Sequence, residues 1–304
     1  MKAAGRIAVI INPISGTGGR PDIARRRAEM AAALTAARNI EAEVFVTAHS
    51  GHARELTQAA LARGITLVVG WGGDGTLNEV ASVLAFRDVA MAVIPSGSGN
   101  GLARELGIPF DPVAALGVAL DGRDRLIDCG ELDGRLFFNI AGLGLDARVA
   151  HQFAAHGLVR RGFSRYLEIT ARELFRFEPD DHTIVVDGVR TRTRALIVAI
   201  ANSRQYGNGA LIAPQALVDD GKLDIVVVAH RSPWRVLLQA PRLFAGQIAR
   251  VPGVTMMTGV EIEVTSAHPV VYHVDGEPYV GAARVVARVH AQALRVRVPS
   301  PLSR

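Results

Sequence analysis

The sequence predicts a two-domain protein in which an α/β domain precedes a mainly β domain. Its 304 residues exceed the usual size of a single hydrophobic core. About the first 120 residues alternate β-rich runs with helical patterns, and from about residue 124 glycine-containing turns join successive β-runs. We therefore expect an N-terminal three-layer α/β domain with a mainly parallel sheet over 1–127. A mainly antiparallel, β-sandwich-like domain with inserted helices should follow over 128–292.

The elements of the first domain follow from apolar periodicity. Apolar, β-branched runs predict strands at 6–12, 41–47, 66–71 and 90–95. Helical spacing predicts helices near 21–37, 51–63, 76–86, 99–106 and 111–120. Two helix starts carry an acidic residue or a first-turn proline, at Pro21-Asp22 and Asp111-Pro112. The C-terminal strand, at about 293–304, is expected to pack back on this domain.

The second domain shows β-runs interrupted by helices. The predicted strands are at 134–143, 182–188, 193–202, 222–229, 254–265, 269–275 and 284–298. The predicted helices lie near 146–156, 162–175 and 233–249. No repeat or obvious linker separates the halves, so the boundary near 124–130 is soft.

Composition indicates a globular protein with a diffuse basic excess. The formal charge is +5, and Lys2 and Lys222 are the two lysines among 34 basic residues. The run Arg25-Arg26-Arg27 is most simply a solvated helix face, and we expect no nucleic-acid partner. The single cysteine, Cys129, excludes an intramolecular disulfide framework and is expected in the core.

The sequence offers neither a secretory signal nor a long apolar run. The chain enters its first strand without an apolar segment and cleavage site, and no apolar run reaches the roughly 18 residues that cross a bilayer. We expect a cytoplasmic protein that visits the inner face of the membrane at most. The sequence leaves open whether the protein forms a homodimer.

A glycine-rich turn follows the third predicted strand. Gly72-Gly73-Asp74-Gly75-Thr76 leads into a helical pattern, which is the context of a phosphate site, because glycines and free helix amides can approach phosphate oxygens. Asp74 cannot attract phosphate itself and would act by holding Mg²⁺ or a metal-bound water. Taken alone, such a turn would more simply be a tight strand-to-helix connection.

Two companion loops make this signal more specific. Asn12 to Gly19 follows the first strand, and Pro95 to Gly101 follows the fourth. Ligands of open α/β sheets bind beyond the carboxyl ends of the strands, so the three loops should converge on one crevice. The loops contain no Walker A sequence, and the chain has no His-Arg-Asp or Asp-Phe-Gly segment of a protein kinase.

Six segments, in order along the chain, resemble those of a known family. They are Asn12 to Gly16, Thr47 with Gly51-His52-Ala53, Gly72 to Glu79, Pro95 to Arg104, Phe138 to Ala147, and His273-Val274-Asp275-Gly276-Glu277. Together they resemble the diacylglycerol kinase catalytic family, which includes bacterial diacylglycerol and related lipid kinases and the sphingosine and ceramide kinases.

The resemblance implies an ATP-dependent lipid kinase, with diacylglycerol as the most direct substrate. It implies an ATP site formed by Asn12, Pro13, Ser15, Gly16, Thr47, Gly72, Gly73, Asp74, Gly75, Thr76, Asn78, Glu79, Ser98 and Asn100. It also implies a proton acceptor on the second domain, Glu277 or Asp275. In some bacterial members a structural Mg²⁺ is bound at a loop that resembles 217–222, which would here use Asp220 and the carbonyls of Leu217 and Lys222.

Several alternatives stay open. Asp275-Gly276 taken alone would be an ordinary hairpin turn, as Asp187-Gly188 is, and Asp219-Asp220-Gly221 fits a plain polar turn equally well. Asn100-Gly101 resembles the sphingosine and ceramide kinases more than many bacterial members, so a sphingoid base or another lipid is an alternative substrate. An NAD kinase and a non-catalytic lipid- or nucleotide-binding regulator are the other readings.

A membrane-facing region can also be suggested. The helices near 146–175 combine apolar and basic residues, namely Phe153, Leu158, Val159, Arg160, Arg161 and Phe163. An ordinary amphipathic helix pair explains them more simply.

Overall fold

The computed structural model describes residues 6–16, 21–155 and 163–300. The chain divides into two compact units, Met1–Ile127 with Gln292–Arg304, and Asp128–Ala291. Each unit has its own sheet arrangement.

The first unit is built on parallel strands. Its elements are β1 (Ile7–Ile11), α1 (Pro21–Ala36), β2 (Ala42–Val46), α2 (His52–Ala62), β3 (Leu67–Gly72), α3 (Asp74–Leu84), β4 (Ala90–Pro95), α4 (Gly101–Glu105) and α5 (Pro112–Asp121). The strand order is β2-β1-β3-β4, and every pairing is parallel. Every residue of β1, β3 and β4 is buried, so both faces of this sheet are covered, as the predicted three-layer arrangement requires.

The last strand of the chain contributes to the same unit. β17 (Arg284–Val298) begins in the second unit, and its Val296 pairs in parallel with Met91 of β4. The carbonyl of Ala293 accepts the Phe86 N–H at 2.7 Å.

The second unit is antiparallel. Its elements are β5 (Arg123–Leu132, which starts in the first unit), β6 (Arg135–Phe137), β7 (Ile140–Gly144), α6 (Leu145–Ala155), α7 (Phe163–Leu174), β8 (Asp181–Val186), β9 (Val189–Ala201), β10 (Gln205–Gly207), β11 (Ala210–Leu211), β12 (Leu223–Ala229), α8 (Pro233–Phe244), a 3₁₀ turn (Ile248–Arg250), β13 (Val254–Gly259), β14 (Glu261–Ser266), β15 (Val271–Val274) and β16 (Glu277–Val280). The long strand β9 pairs first with β8 and then with β7 and β12.

The core of this unit confirms the sandwich-like prediction. Val198 and Ile200 of β9 pack into a cluster with Ile184, Ile262 and Val285 from β8, β14 and β17. Ala199 and Ala201 on the opposite face contact a second cluster, which includes Ile212 and Ile248. The alternation along β9 therefore buries both faces of one strand.

Three predicted elements differ from the structure. The strand predicted at 254–265 is two strands in the structure. The first, β13, pairs with β12, and the second, β14, pairs with β8 and β17. The strand predicted at 134–143 is also two, β6 and β7. The helix predicted at 233–249 ends at Phe244, and Gly246 then adopts a left-handed φ of 65° that ends helical geometry. The strands β5, β10, β11 and β16 were not predicted.

Candidate active site

The loops of the first unit follow strands at the point where the strand order reverses. β1 lies between β2 and β3, so the chain after β1 and the chain after β3 leave neighbouring strands on opposite sides of this switch point. Ligands of open parallel sheets bind at such points. Asn12 and Gly72-Gly73, at the ends of these two strands, therefore lie at the edge of the sheet where a ligand is expected.

Hydrogen bonds join the first loop to the second. The Asn12 amide donates to Thr76 Oγ1 at 2.8 Å, and the Asn12 N–H donates to the Trp71 carbonyl at 2.9 Å. Asn12 Oδ1 accepts the Ile14 N–H at 3.0 Å, which fixes the turn around Pro13. Asn12 thus connects two strand-end loops and shapes the first of them.

The first loop also meets the loop after β4. The hydroxyls of Ser15 and Ser96 are 2.6 Å apart, and Gly16 lies against the Ser96 carbonyl. Thr47, which follows β2, donates its N–H to the Ile11 carbonyl at 2.9 Å and so lies beside the same strand end. The predicted convergence of the strand-end loops is therefore observed.

The second and third loops approach each other at their backbones. A Cβ added to Gly97 would lie 2.6 Å from the Gly73 Cα, so no side chain fits at this crossing. Asp74 Oδ1 accepts the Gly101 N–H at 2.8 Å. The Asn100 side chain closes its own loop through Gly97 N–H and carbonyl, both at 2.8 Å.

The amides that could meet a phosphate lie at the start of α3. Gly73 is the N-cap, and the first intrahelical bond runs from Leu77 N–H to the Gly73 carbonyl at 3.0 Å. The amides of Gly75 and Thr76 therefore precede the hydrogen-bonded part of the helix, where the helix dipole also favours an anion. Helix α3 begins two residues earlier than predicted, inside the glycine motif itself.

Four further predicted residues have different settings. Glu79 caps α2, because its two carboxylate oxygens accept the N–H groups of Gly51 at 2.8 Å and Ala53 at 3.0 Å. Glu79 therefore supports the start of α2. Asn78 Oδ1 accepts from Ser82 Oγ on α3, Ser98 is exposed, and Gly72 is buried at the end of β3.

Arg27 belongs to this site and was not predicted. Its guanidinium donates to the carbonyls of Asn12 at 2.9 Å and Ser15 at 3.0 Å, and it lies 5.6 Å from the centroid of the Trp71 ring. Burial lowers the pKa of Arg27 below its ordinary value. The interpretation of 25–27 as a solvated face is wrong for Arg27, which shares its side of α1 with the buried Ala31 and Thr35 at i+4 spacing.

In the second unit, Asp275 anchors a hairpin. Asp275 and Gly276 form the two-residue turn between β15 and β16, with Val274 paired to Glu277. The Asp275 carboxylate accepts N–H bonds from Phe138, Asn139 and Ile140 at 2.9, 2.9 and 3.0 Å. Three backbone donors hold this carboxylate in place, so the geometry assigns Asp275 an anchoring position in the turn.

A buried polar group supports the same turn. His273 Nδ1 accepts the Gly276 N–H at 3.3 Å, so its Nε2 carries the proton and donates to Asp146 Oδ2 at 3.2 Å. Tyr206 donates to the same carboxylate oxygen at 2.5 Å. A Cβ at Gly142 would lie 2.0 Å from Asp146 Oδ2, so a glycine is required beside this group.

Glu277 differs from Asp275 in being exposed. It is the first residue of β16, and among the described residues its side chain has no hydrogen-bond or ion-pair partner. A carboxylate fixed by its backbone and open to solvent can accept a proton from an incoming hydroxyl.

The predicted metal loop offers hard oxygen donors. Asp220 Oδ1 accepts the Lys222 N–H at 3.0 Å, and Gly221 N–H donates to Asp128 Oδ2 at 2.7 Å. Burial, then the charge of Asp220, raises the pKa of Asp224 to about 6. Carboxylate and carbonyl oxygens, including those of Leu217 and Lys222, suit Mg²⁺. Among the described residues, however, no group of three or more His, Cys, Asp or Glu could hold a metal.

The single cysteine, Cys129, is fully buried, which confirms the predicted core position. Burial raises the pKa of its thiol to about 12.

Of the suggested membrane-facing residues, Leu158 to Arg161 lie outside the described residues, as does the side chain of Phe163. Phe153 packs against the cluster of Leu145, Val149 and Ile169.

Comparisons with known proteins agree with this architecture. Residues 6–132 match the family described as "Diacylglycerol kinase catalytic domain", and residues 139–298 match "YegS C-terminal NAD kinase beta sandwich-like domain". A probable lipid kinase YegS-like protein of Pseudomonas aeruginosa is 35% identical over 300 residues, which is 91% of each chain. A diacylglycerol kinase of Mycobacterium tuberculosis is 33% identical over 80% of this chain and 79% of its own.

Solved structures share the fold. A crystal structure of a diacylglycerol kinase from Bacillus anthracis superposes with a TM-score of 0.72 at 19% identity, covering 98% of both chains. A second structure from that organism has a TM-score of 0.79 at 20% identity, over 98% of this chain and 97% of its own. The class is that of two-domain lipid kinases. The chain belongs to the diacylglycerol kinase family, with a C-terminal domain of the YegS type.

Proposed function

We propose that this protein transfers the γ-phosphate of ATP to the hydroxyl of a lipid, most directly diacylglycerol, giving phosphatidic acid. The observation that carries this proposal is the joining of three strand-end loops around the start of α3 in a chain of the lipid kinase family. The diacylglycerol kinase among its relatives supports that choice of acceptor.

The first unit would hold the nucleotide. Backbone amides at Gly75 and Thr76 would face phosphate oxygens, and Asn12 and Ser15 would fix the neighbouring loop. Mg²⁺, when bound, neutralises charge that develops on the phosphates. Asp74 would support that ion while its bond to Gly101 keeps the loops together.

The second unit would supply the proton acceptor. Glu277 would take the proton of the lipid hydroxyl as the hydroxyl oxygen attacks the γ-phosphorus, and the bond to the leaving oxygen of ADP breaks. Asp275, with its three N–H partners, would hold the turn that carries Glu277. The exposure of Glu277 and the engagement of Asp275 favour this division of roles.

The lipid would lie next to the same turn. A cavity of about 300 Å³ is lined by Pro278, Tyr279 and Val280 of β16 and by His151 and Ala154 of α6. Three of its lining residues directly follow Glu277, so a lipid bound there would bring its hydroxyl near the proposed proton acceptor. In the described part of the chain, no helix is both long and apolar enough to span a membrane. We propose a cytoplasmic protein that meets its lipid at the inner face of the membrane.

The test is transfer of labelled γ-phosphate from ATP to a panel of acceptors. Diacylglycerol, sphingosine and ceramide would be presented in mixed micelles, and NAD in solution. We expect label in phosphatidic acid and none in NADP. Label in a sphingoid base would show a lipid kinase with a different lipid acceptor. Label in NADP alone would overturn the proposal. A protein that binds ATP and lipid but labels nothing would be a regulator.

A further inference from the structure

Helix α8 is seated on the second unit and yet exposes large apolar side chains. None of its 12 residues is buried. Trp234 is 69% exposed and Leu238 is 77% exposed. These two residues are four apart, so they share one side of the helix, and Leu237 and Phe244 extend the apolar surface along it.

The inner side of the same helix accounts for how it is held. Val236 packs against the cluster of Leu145, Val149 and Ile169, and Leu243 packs against the cluster that contains Ile212 and Ile248. The inner residues therefore attach α8 to the fold, and the exposure of Trp234 and Leu238 is not needed for that attachment.

An aromatic contact enlarges the exposed surface. Phe175, just after α7, meets Trp234 edge to face with ring centroids 5.1 Å apart, and Phe175 is itself half exposed. We call Phe175, Trp234, Leu237 and Leu238 the α8 patch.

Along the chain on both sides of helix α8, the charged residues have one sign. Residues 225–260 contain no aspartate or glutamate and include Arg231, Arg235, Arg242 and Arg250. Within residues 163–300 no ion pair joins the side chain of Arg231, Arg235 or Arg242 to an acidic side chain. An exposed aromatic and aliphatic stripe on a helix whose own charged residues are all arginine is the composition of a helix that lies in a membrane interface.

We propose that the α8 patch with its flanking arginines docks on an anionic lipid bilayer. Trp234 and Leu238 would enter the headgroup boundary, and Arg235 and Arg242 would contact lipid phosphates. A second copy of the chain fits less well, because a 12-residue helix about 18 Å long offers roughly 200 Å², against the ~800 Å² per partner of a stable interface. A protein partner would also need an acidic surface to match, which the bilayer provides by itself.

This inference deepens the proposed function, since docking would bring the enzyme to the bilayer that holds its substrate. It does not depend on which lipid is phosphorylated. Binding to a bilayer and transfer of phosphate are measured separately, so either idea can fail without the other.

Trp234 itself provides the test. The chain has two tryptophans, and Trp71 is buried, so a change in emission on adding vesicles reports on Trp234. We expect a blue shift, and quenching by brominated acyl chains, with vesicles of equal parts phosphatidylglycerol and phosphatidylcholine. Vesicles of phosphatidylcholine alone should bind at least about ten-fold more weakly. An unchanged spectrum with the anionic vesicles would overturn the proposal.

Variants separate docking from catalysis. In cosedimentation with the anionic vesicles, Leu238→Gln and Arg235→Gln should each reduce binding by roughly five-fold or more. Val189→Gln, which changes an equally exposed apolar residue outside α8, should bind as the unmodified protein does. Equal binding by all variants would contradict the proposal, as would a Leu238→Gln protein that changes from dimer to monomer while its vesicle binding is unaltered.

Turnover measured in micelles and in bilayers separates docking from catalysis. With lipid dispersed in detergent micelles, Leu238→Gln should retain the turnover of the unmodified protein, and with the same lipid in anionic bilayers it should lose most of it. Equal losses in both would show that α8 serves the fold or the active site. If the unmodified protein labels no lipid in micelles, the proposed function fails, and the vesicle measurements still decide the docking surface.

Discussion

Two hairpins of the second unit turn at the same dipeptide, Asp-Gly, but the residues around the two turns differ. Asp187-Gly188 joins β8 to β9 with φ values of 46° and 86°, and Asp275-Gly276 joins β15 to β16 with 46° and 89°. In both, the aspartate accepts backbone N–H bonds from a neighbouring segment. Asp187 accepts from Val260 and Glu261, and Asp275 accepts from Phe138, Asn139 and Ile140.

The difference between the hairpins lies outside the dipeptide. Val189 follows the first turn, whereas Glu277 follows the second. His273, bonded to Asp146, lies under the second turn and accepts the Gly276 N–H. The Asp-Gly pair therefore determines a backbone geometry, and the chemistry depends on the next residue and on the polar group beneath the turn.

The largest expected effect is at Glu277. Glu277→Gln removes the proposed proton acceptor and keeps the shape of the side chain, so we expect kcat for lipid phosphorylation to fall roughly 10²- to 10⁴-fold. The free energy of unfolding should change little because the side chain is exposed. Val189→Gln at the equivalent position of the other hairpin is the matched control and should leave kcat unaltered. Similar activities of the two variants would remove Glu277 from catalysis.

The two aspartates should differ in stability. Asp275→Asn weakens three N–H bonds to a half-buried carboxylate, so we expect a loss of about 1–3 kcal/mol in the free energy of unfolding. Asp187 is exposed, and Asp187→Asn should cost roughly 0.5–1 kcal/mol. Urea denaturation of both variants measures the difference. An order of stabilities opposite to this one would break the comparison of the turns.

His273 should act by positioning Glu277. His273→Gln keeps a polar side chain but loses the fixed imidazole between Gly276 and Asp146. We expect kcat to fall on the order of ten-fold with KM for ATP nearly unaltered, since the nucleotide loops are in the other unit. A rise in KM for ATP that matched the loss of kcat would contradict a positioning role.

The smallest effect concerns the histidine of the other hairpin. His182 is buried on β8, and burial lowers its pKa, outweighing the opposing effects of Asp180 and Asp181. A lowered folded pKa means that the unfolded chain binds more protons, so this contribution to stability is present above about pH 6.5 and is lost as the pH falls. The melting temperature should fall between about pH 7.5 and 5.5. His182→Gln should show a smaller fall, and an equal fall in both proteins would exclude His182 as the cause.

Much of the first unit could be predicted because its signals are local. The strands β1, β3 and β4 are continuous apolar runs, and their glycine-rich ends are directly readable. Convergence of the loops then follows from the rule for parallel sheets. The inward direction of Arg27 could not be separated from its exposed neighbours by composition, although its spacing to Ala31 and Thr35 contains the signal.

The second unit was harder because its decisive contacts are distant along the chain. Asp275 meets the segment 138–140, and β13 and β14 divide where the chain changes pairing partners. β5 begins with the polar run Arg-Asp-Arg and β16 has four residues, so neither shows a clear period. No local pattern distinguished the anchoring carboxylate of Asp275 from the exposed one of Glu277.

We propose that Glu277, and not Asp275, accepts the proton. The most direct test measures phosphate transfer to diacylglycerol at saturating ATP for Glu277→Gln and Asp275→Asn, at a temperature where both are folded, with ATP binding measured in parallel. We expect Glu277→Gln to bind ATP normally and lose transfer, and Asp275→Asn to keep a substantial part of it. Loss of transfer in folded Asp275→Asn, together with retained transfer in Glu277→Gln, would contradict the assignment.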